Sequence, residues 1–224
     1  IEIFVHGALC YSYSGQCFLS SVIGGRSGNR GMCAQPCRKP YTLLHGVFDN
    51  FGRLTDVSQV SCRDRYLLST KDLCCYDGLR EIVARGVEAL KIEGRMRSPE
   101  YVAAVVGAYR RALDALEKGN EWHSHDDIDE MARAFNRGFT RGYLLGDRGP
   151  SLMGRDRPDH RGLFLGTVVR APKGEGILIS PASPYLPVSG DGILVADSTG
   201  EIRTGHLLHR DSERRGDMLF LPVQ

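Results

Sequence analysis

Apolar and polar residues alternate along Ile1-Glu2-Ile3-Phe4-Val5 as they do in a buried strand, and His6-Gly7 breaks the pattern before a loop crowded with glycine and small polar residues. Within the polar stretch 41–68, residues 42–60 predict a hairpin turning near Asp49-Asn50-Phe51-Gly52. Ser69-Thr70-Lys71-Asp72 has the character of a helix cap, and Leu79, Ile82 and Val83 share a face before Gly86. Together they predict a short helix of about three turns. Residues 87–92 read as a buried strand that runs into the charged loop Glu93-Gly94-Arg95.

The next helix carries the clearest signals, with Ser98 as N-cap, Pro99 at the first helical position, Glu100 near the positive end of the dipole and Gly119 past the last turn. Val102, Val105, Val106, Tyr109, Leu113 and Leu116 form its predicted buried stripe, with Arg110, Arg111 and Lys118 opposite. Ile128, Met131, Ala132 and Phe135 predict one more amphipathic helix. Beyond a linker at 147–162 the period changes to short strands at 163–169, 176–180, 191–196, 201–209 and 217–223. The expected architecture is therefore α/β followed by all-β: a first domain over 1–146, the linker, and a small β-barrel domain over 163–224.

Composition narrows this picture. The 224 residues are 42% hydrophobic, enough for a real core. No run approaches the roughly 20 apolar residues that cross a bilayer, and no signal-peptide pattern is visible, so a soluble, cytoplasmic protein without membrane contact is expected. The net charge of +2 does not by itself indicate nucleic acid. Without an initiator Met, and beginning within a strand, the sequence reads as part of a longer protein. Seven cysteines, an odd number in such a chain, favour metal or cluster ligation over disulfides.

Cys10, Cys17, Cys33 and Cys37 follow one another at intervals of seven, sixteen and four, which suits thiolates converging from a folded-back loop. Four soft donors fit an iron–sulfur cluster, with a structural zinc as the rival. Glu93 and Arg95 follow a strand, where α/β sheets gather their chemistry, and read equally as ligand-binding groups or as an ion pair at the strand end. His123 and His125 lack a third metal ligand at plausible spacing and suit loop or capping roles better. His6 lies near Cys10 but no catalytic triad can be placed on it, and there is no His-Glu-x-x-His motif.

Three blocks carry a family resemblance. Phe4-Val5-His6-Gly7-Ala8-Leu9-Cys10-Tyr11-Ser12-Tyr13-Ser14-Gly15-Gln16-Cys17, continued through Asn29-Arg30-Gly31-Met32-Cys33-Ala34-Gln35-Pro36-Cys37-Arg38, resembles the signature of peptidase family U32, the collagenase-like peptidases. Ser69-Thr70-Lys71-Asp72-Leu73-Cys74 and Lys91-Ile92-Glu93-Gly94-Arg95-Met96-Arg97-Ser98-Pro99-Glu100-Tyr101-Val102 match it as well, in the right order. The resemblance implies the C-terminal part of a TIM-type β/α barrel, completed by a missing N-terminal half or by a partner chain. It also implies a 4Fe-4S cluster on four cysteines and oxygen-independent hydroxylation of tRNA, rRNA or a quinone precursor, with prephenate as oxygen source in some members.

Cys10, Cys17 and Cys33 follow the family pattern, whereas the fourth ligand is drawn from Cys37, Cys62 or Cys74, of which Cys37 is nearest; Cys75 reads as core. On this reading Glu93 and Arg95 line the mouth of the site, and Arg137 and Arg141 help hold an anionic substrate such as RNA. The alternatives are a peptidase acting on collagen-like or other proteins and a zinc-stabilised RNA-binding module.

Overall fold

The computed structural model describes residues 1–122, 124–172 and 174–223. Along the first part the chain forms β1 (Glu2–Ala8), α1 (Leu19–Gly24), β2 (Leu44–Phe48), β3 (Leu54–Gln59), β4 (Asp72–Cys74), α2 (Leu79–Ala84), β5 (Ala89–Ile92), α3 (Pro99–Glu117), α4 (Ser124–Ala134) and β6 (Phe139–Thr140). Four of these strands make one sheet in the order β5-β1-β4-β6. β1 runs parallel to β5 and antiparallel to β4, and β4 runs parallel to β6. Ala8, the last residue of β1, therefore pairs with Asp72, the first of β4, and Asp72 pairs with Phe139, the first of β6. One edge of the sheet collects the exits of β1 and β5 and the entries of β4 and β6.

β2 and β3 form an antiparallel hairpin whose turn is tied by Asp49, its carboxylate accepting from the backbone N–H of Phe51 and of Arg53. Residues 69–72 differ from the helix cap expected of them. They enter β4, and the helix begins only at Leu79 after a 3-10 turn over Tyr76–Gly78. The polar side chains that suggested a cap are spent on distant partners: the Thr70 hydroxyl donates to the Leu9 carbonyl, and Asp72 accepts from Arg137.

Helix α3 starts as its sequence requires, with the Ser98 hydroxyl accepting from the Tyr101 N–H and Gly119 at φ 70° beyond its end. Its buried stripe is rotated from the expected one, to Tyr101, Val105, Ala108, Tyr109 and Ala112, leaving Val102 and Val106 exposed. Alanines at 108 and 112 allow close approach, and the two tyrosines fill the remaining space. Tyr109 donates to the Val5 carbonyl and Tyr76 to the Ala108 carbonyl, so both buried hydroxyls are satisfied. β5 is an edge strand rather than a buried one. Leu90 and Ile92 pack against the core, while Lys91 faces out with its ammonium 4.8 Å from the Phe4 ring centre.

The chain divides at Gly162 into two compact units, each with its own core. The second contains β7 (Gly166–Arg170), β8 (Ile177–Pro181), β9 (Gly192–Ala196), β10 (Ile202–Leu207), β11 (Glu213–Arg215) and β12 (Met218–Leu221). β11-β12-β8-β7 form an antiparallel sheet, and β9 and β10 a hairpin. β11 has no apolar alternation to announce it; all three of its residues are exposed, and Arg215 lies 3.7 Å from the Phe220 ring centre. Among the described residues no helix is long and apolar enough to cross a membrane.

Candidate active site at the cysteine loop

The exit of β1 leads directly into the cysteine loop. Gly7, at φ 114°, lets the strand pass Glu93 so closely that a Cβ there would stand 2.6 Å from the Glu93 carbonyl oxygen. Beyond it Cys10 is exposed, Cys17 half-buried, Cys33 exposed and Cys37 half-buried, and all are free thiols. Gly28 sits between Cys17 and Cys33, its Cβ position in van der Waals reach of both. The Cys33 sulfur accepts from the Gln35 N–H at 3.3 Å, and the buried Ser20 hydroxyl holds the Ala34 N–H at 2.9 Å.

Burial raises the Cys37 thiol, the Arg38 guanidinium opposes that rise, and the thiols of Cys10, Cys33 and Cys17 add to it. The other three thiols thus lie within electrostatic reach of Cys37. The donor set fits an iron–sulfur or zinc site in kind and number. Among the described residues, however, no three His, Cys, Asp or Glu side chains stand where they could hold a metal ion.

Arg38, next to Cys37, fastens the loop to the sheet. Its guanidinium donates to the Ser69 hydroxyl and the Thr70 hydroxyl, each at 2.8 Å, to the Leu9 carbonyl at 3.1 Å and to the Thr70 carbonyl. It joins the exit of β1 to the entry of β4. Burial, with Arg137 nearby, pulls its pKa down to about 10.

Behind it Arg137 and Asp72 form a buried pair, 3% and 1% exposed, with guanidinium contacts of 2.7 and 3.0 Å and the Arg137 backbone N–H on the same carboxylate. The remaining arm of Arg137 donates to the Gln35 side chain at 3.2 Å, tying this pair to the segment between Cys33 and Cys37.

The loop after β5 completes the edge. The Glu93 N–H donates to the His6 carbonyl, and the Glu93 carboxylate accepts from the Arg95 N–H at 2.7 Å. The Arg95 guanidinium lies where a Cβ on Gly31 would stand, so the structure brings Arg95 onto the cysteine loop. His6, 1% exposed, is ringed by Tyr101, Tyr109 and Phe139, and neither ring nitrogen has a hydrogen-bond partner among the described residues. Burial pushes its pKa down to about 4 and Arg97 adds to this, while Asp72 opposes it.

Other candidates fall elsewhere. Cys74 and Cys75 are buried, and burial pushes each thiol up to about 12. Cys62 is exposed beyond the hairpin. Arg141 follows β6 at the opposite edge of the sheet, 3.7 Å from Asp147, where it lines a separate cavity with Asp77 and Glu81. His125 is exposed in the first turn of α4, and His123 lies outside the described residues. Arg38, Asp72 and Arg97 are the site residues that sequence reasoning did not single out. All three lie inside the matched blocks, and Arg38 is also adjacent to Cys37.

A family model described as peptidase family U32 matches residues 1–154. The chain is 36% identical over 203 residues to the 23S rRNA 5-hydroxycytidine C2501 synthase of Escherichia coli (strain K12), an alignment covering 87% of this chain and 29% of that protein. It is 40% identical over 152 residues to a collagenase of Porphyromonas gingivalis, covering 66% and 39%. It is 35% identical over 151 residues to tRNA hydroxylation protein P1 of Bacillus subtilis (strain 168), covering 66% and 35%. The aligned part thus spans 29–39% of these relatives' length. No solved structure matches the chain.

Proposed function

The chain belongs to peptidase family U32, and from that premise we propose that the full-length protein is an oxygen-independent iron–sulfur hydroxylase modifying bases of tRNA or rRNA. The observation that carries the reading is that four free cysteines, Cys10, Cys17, Cys33 and Cys37, follow the exit of β1 on one loop. Relatives named for hydroxylation of 23S rRNA and of tRNA support the substrate class. The first unit is read as the C-terminal part of a TIM-type β/α barrel and the second as a small β-barrel. Prephenate as oxygen donor belongs to the same proposal.

When bound, a 4Fe-4S cluster supplies a redox-active iron centre whose potential responds to hydrogen bonds on its sulfurs. The protein's own contribution is positional. Cys10, Cys17, Cys33 and Cys37 would hold the cluster. The Gln35 N–H points at the Cys33 sulfur, Arg38 anchors the loop to Leu9 and Thr70, and Glu93 fixes the backbone from which Arg95 reaches Gly31.

The collagenase among the relatives favours a second reading, proteolysis. A nucleophile then needs an oriented histidine beside it. His6 is the histidine nearest Cys10 in sequence, and its ring has no hydrogen-bond partner among the described residues.

Anaerobic reconstitution of the full-length protein with iron and sulfide tests the leading reading. About four irons per chain are expected, lost in Cys10→Ala, Cys17→Ala, Cys33→Ala and Cys37→Ala and retained in Cys62→Ala. Failure to take up iron overturns it. Gelatin cleavage abolished by a point substitution establishes the peptidase, and tight zinc with RNA affinity but no turnover the binding module.

A further inference from the structure

Arg97 is placed where burial and Arg137 oppose its charge while Asp72 and Glu93 favour it. It precedes the N-cap of α3, at the positive end of a 19-residue helix, where a cation is disfavoured. Arg137 lies close enough to lower its pKa further, beyond the lowering by burial. Its guanidinium is half-buried, yet among the described residues no acceptor bonds it and no carboxylate pairs with it. Ordering a long side chain without such bonds costs conformational entropy and brings no hydrogen bonds in return.

The surroundings nevertheless hold it firmly. The guanidinium carbon is 3.5 Å from the Phe135 ring centre and 5.5 Å from that of Tyr101, and Phe135 is itself stacked on His160 at 5.0 Å. Met96, at φ 59°, lies in the left-handed region that side chains other than glycine avoid. That turn separates two arginines with different destinations: Arg95 goes to Gly31 in the cysteine loop, and Arg97 goes to the aromatic stack. Backbone strain of this kind persists where the surroundings enforce it and gathers at functional sites.

We infer that Arg97 is an anion-binding residue of this site, its guanidinium receiving the carboxylate or phosphate group of a ligand that enters beside the cysteine loop. The inference rests on reading this sheet edge as the active centre. Arg38 and Arg137 cannot take that role, because protein acceptors already engage their guanidinium groups. Against the carboxylates of Asp72 and Glu93, the three guanidinium groups of this cluster still leave an excess of positive charge. The free fork of Arg97 matches two oxygens of one oxyanion.

The test is calorimetric titration of the apo full-length protein, at low ionic strength, with malonate and separately with inorganic phosphate. Wild type is expected to bind at least one of them at a single site. Arg97→Gln should weaken that binding at least about tenfold, Arg97→Lys should weaken it less, and Arg110→Gln, on the exposed face of α3, should not change it. Tighter binding of malonate identifies a carboxylate ligand, and tighter binding of phosphate a nucleotide phosphate. Thermal unfolding of the apo variants supplies the second readout: Arg97→Gln should remain fully folded at the temperature of the titration, the lost stacking on Phe135 being offset by removal of a charge that burial and Arg137 oppose. No binding by wild type, or unchanged affinity in Arg97→Gln, overturns the inference. So does a destabilised Arg97→Gln whose binding is restored by cooling. Since the titration uses apo protein, failure of the iron reconstitution leaves its result readable, and the two proposals fail separately.

Discussion

At the scale of the residue, His6 shows how the first unit depends on pH. Its neutral ring sits among Tyr101, Tyr109 and Phe139, and Asp72 and Arg97 act on its charge in opposite senses. The folded chain protonates it only near pH 4, whereas an unfolded chain does so below its ordinary value of 6.5. Between those values the unfolded state binds the extra proton. This contribution to stability is therefore complete above pH 6.5, falls as the pH drops and levels off below about 4. The span is worth roughly 3 kcal/mol, at about 1.4 kcal/mol per pH unit. Urea denaturation at pH 7 and pH 4.5 should show that loss in wild type and a markedly smaller one in His6→Phe, which keeps the ring contacts. Equal losses in the two proteins would assign the acid sensitivity to other groups.

At the scale of the element, β4 and β6 have three and two residues, too few for backbone rungs alone to hold them. Asp72 joins them, accepting both the backbone N–H and the guanidinium of Arg137, which precedes β6. Asp72→Ala leaves that guanidinium buried without its carboxylate and is expected to cost about 3–5 kcal/mol, read as a shift of the denaturation midpoint. The double variant Asp72→Leu, Arg137→Met should recover much of the loss, since two apolar groups leave no charge stranded. A double variant no more stable than Asp72→Ala would show that the pair contributes more than mutual neutralisation.

The same pair marks where sequence reasoning reached its limit. The hairpin turn at Asp49 and the start of α3 at Ser98 were legible because their determinants are local: an Asx turn, a cap and a proline. The rotation of the α3 stripe depends on Tyr109 meeting the Val5 carbonyl across the core. β4 is too short to show a period, so residues 69–72 read as a cap. Arg137 read as substrate-facing because it lies in a basic, glycine-punctuated run, and its inward turn onto a residue 65 positions away has no local trace. At the site, the cysteines announced themselves by spacing, whereas Arg97 stands out only once its lack of an acceptor among the described residues is visible.

At the scale of the whole molecule, basic and acidic residues nearly cancel, 29 against 27, so self-repulsion contributes little and burial carries the stability. That burial is divided between two cores, one built around Val5, Leu79 and Val105 and the other around Ile179, Leu219 and Leu221. Trp122, the chain's one tryptophan, packs against the first core, edge-on to Tyr76. Its fluorescence is therefore a probe of that core. Leu79→Ala empties a fully buried position and should lower the stability read by Trp122 by about 2–5 kcal/mol. Leu219→Ala, equally buried in the second core, should speed amide hydrogen exchange in β8 and β12, which pair through Leu219 and Ile179. A Trp122 transition unmoved by Leu79→Ala would mean that the tryptophan responds to its local contacts with Tyr76 and Arg80 instead of to the core. Unfolding of the first unit would then have to be followed through the buried amides of β1 and β4.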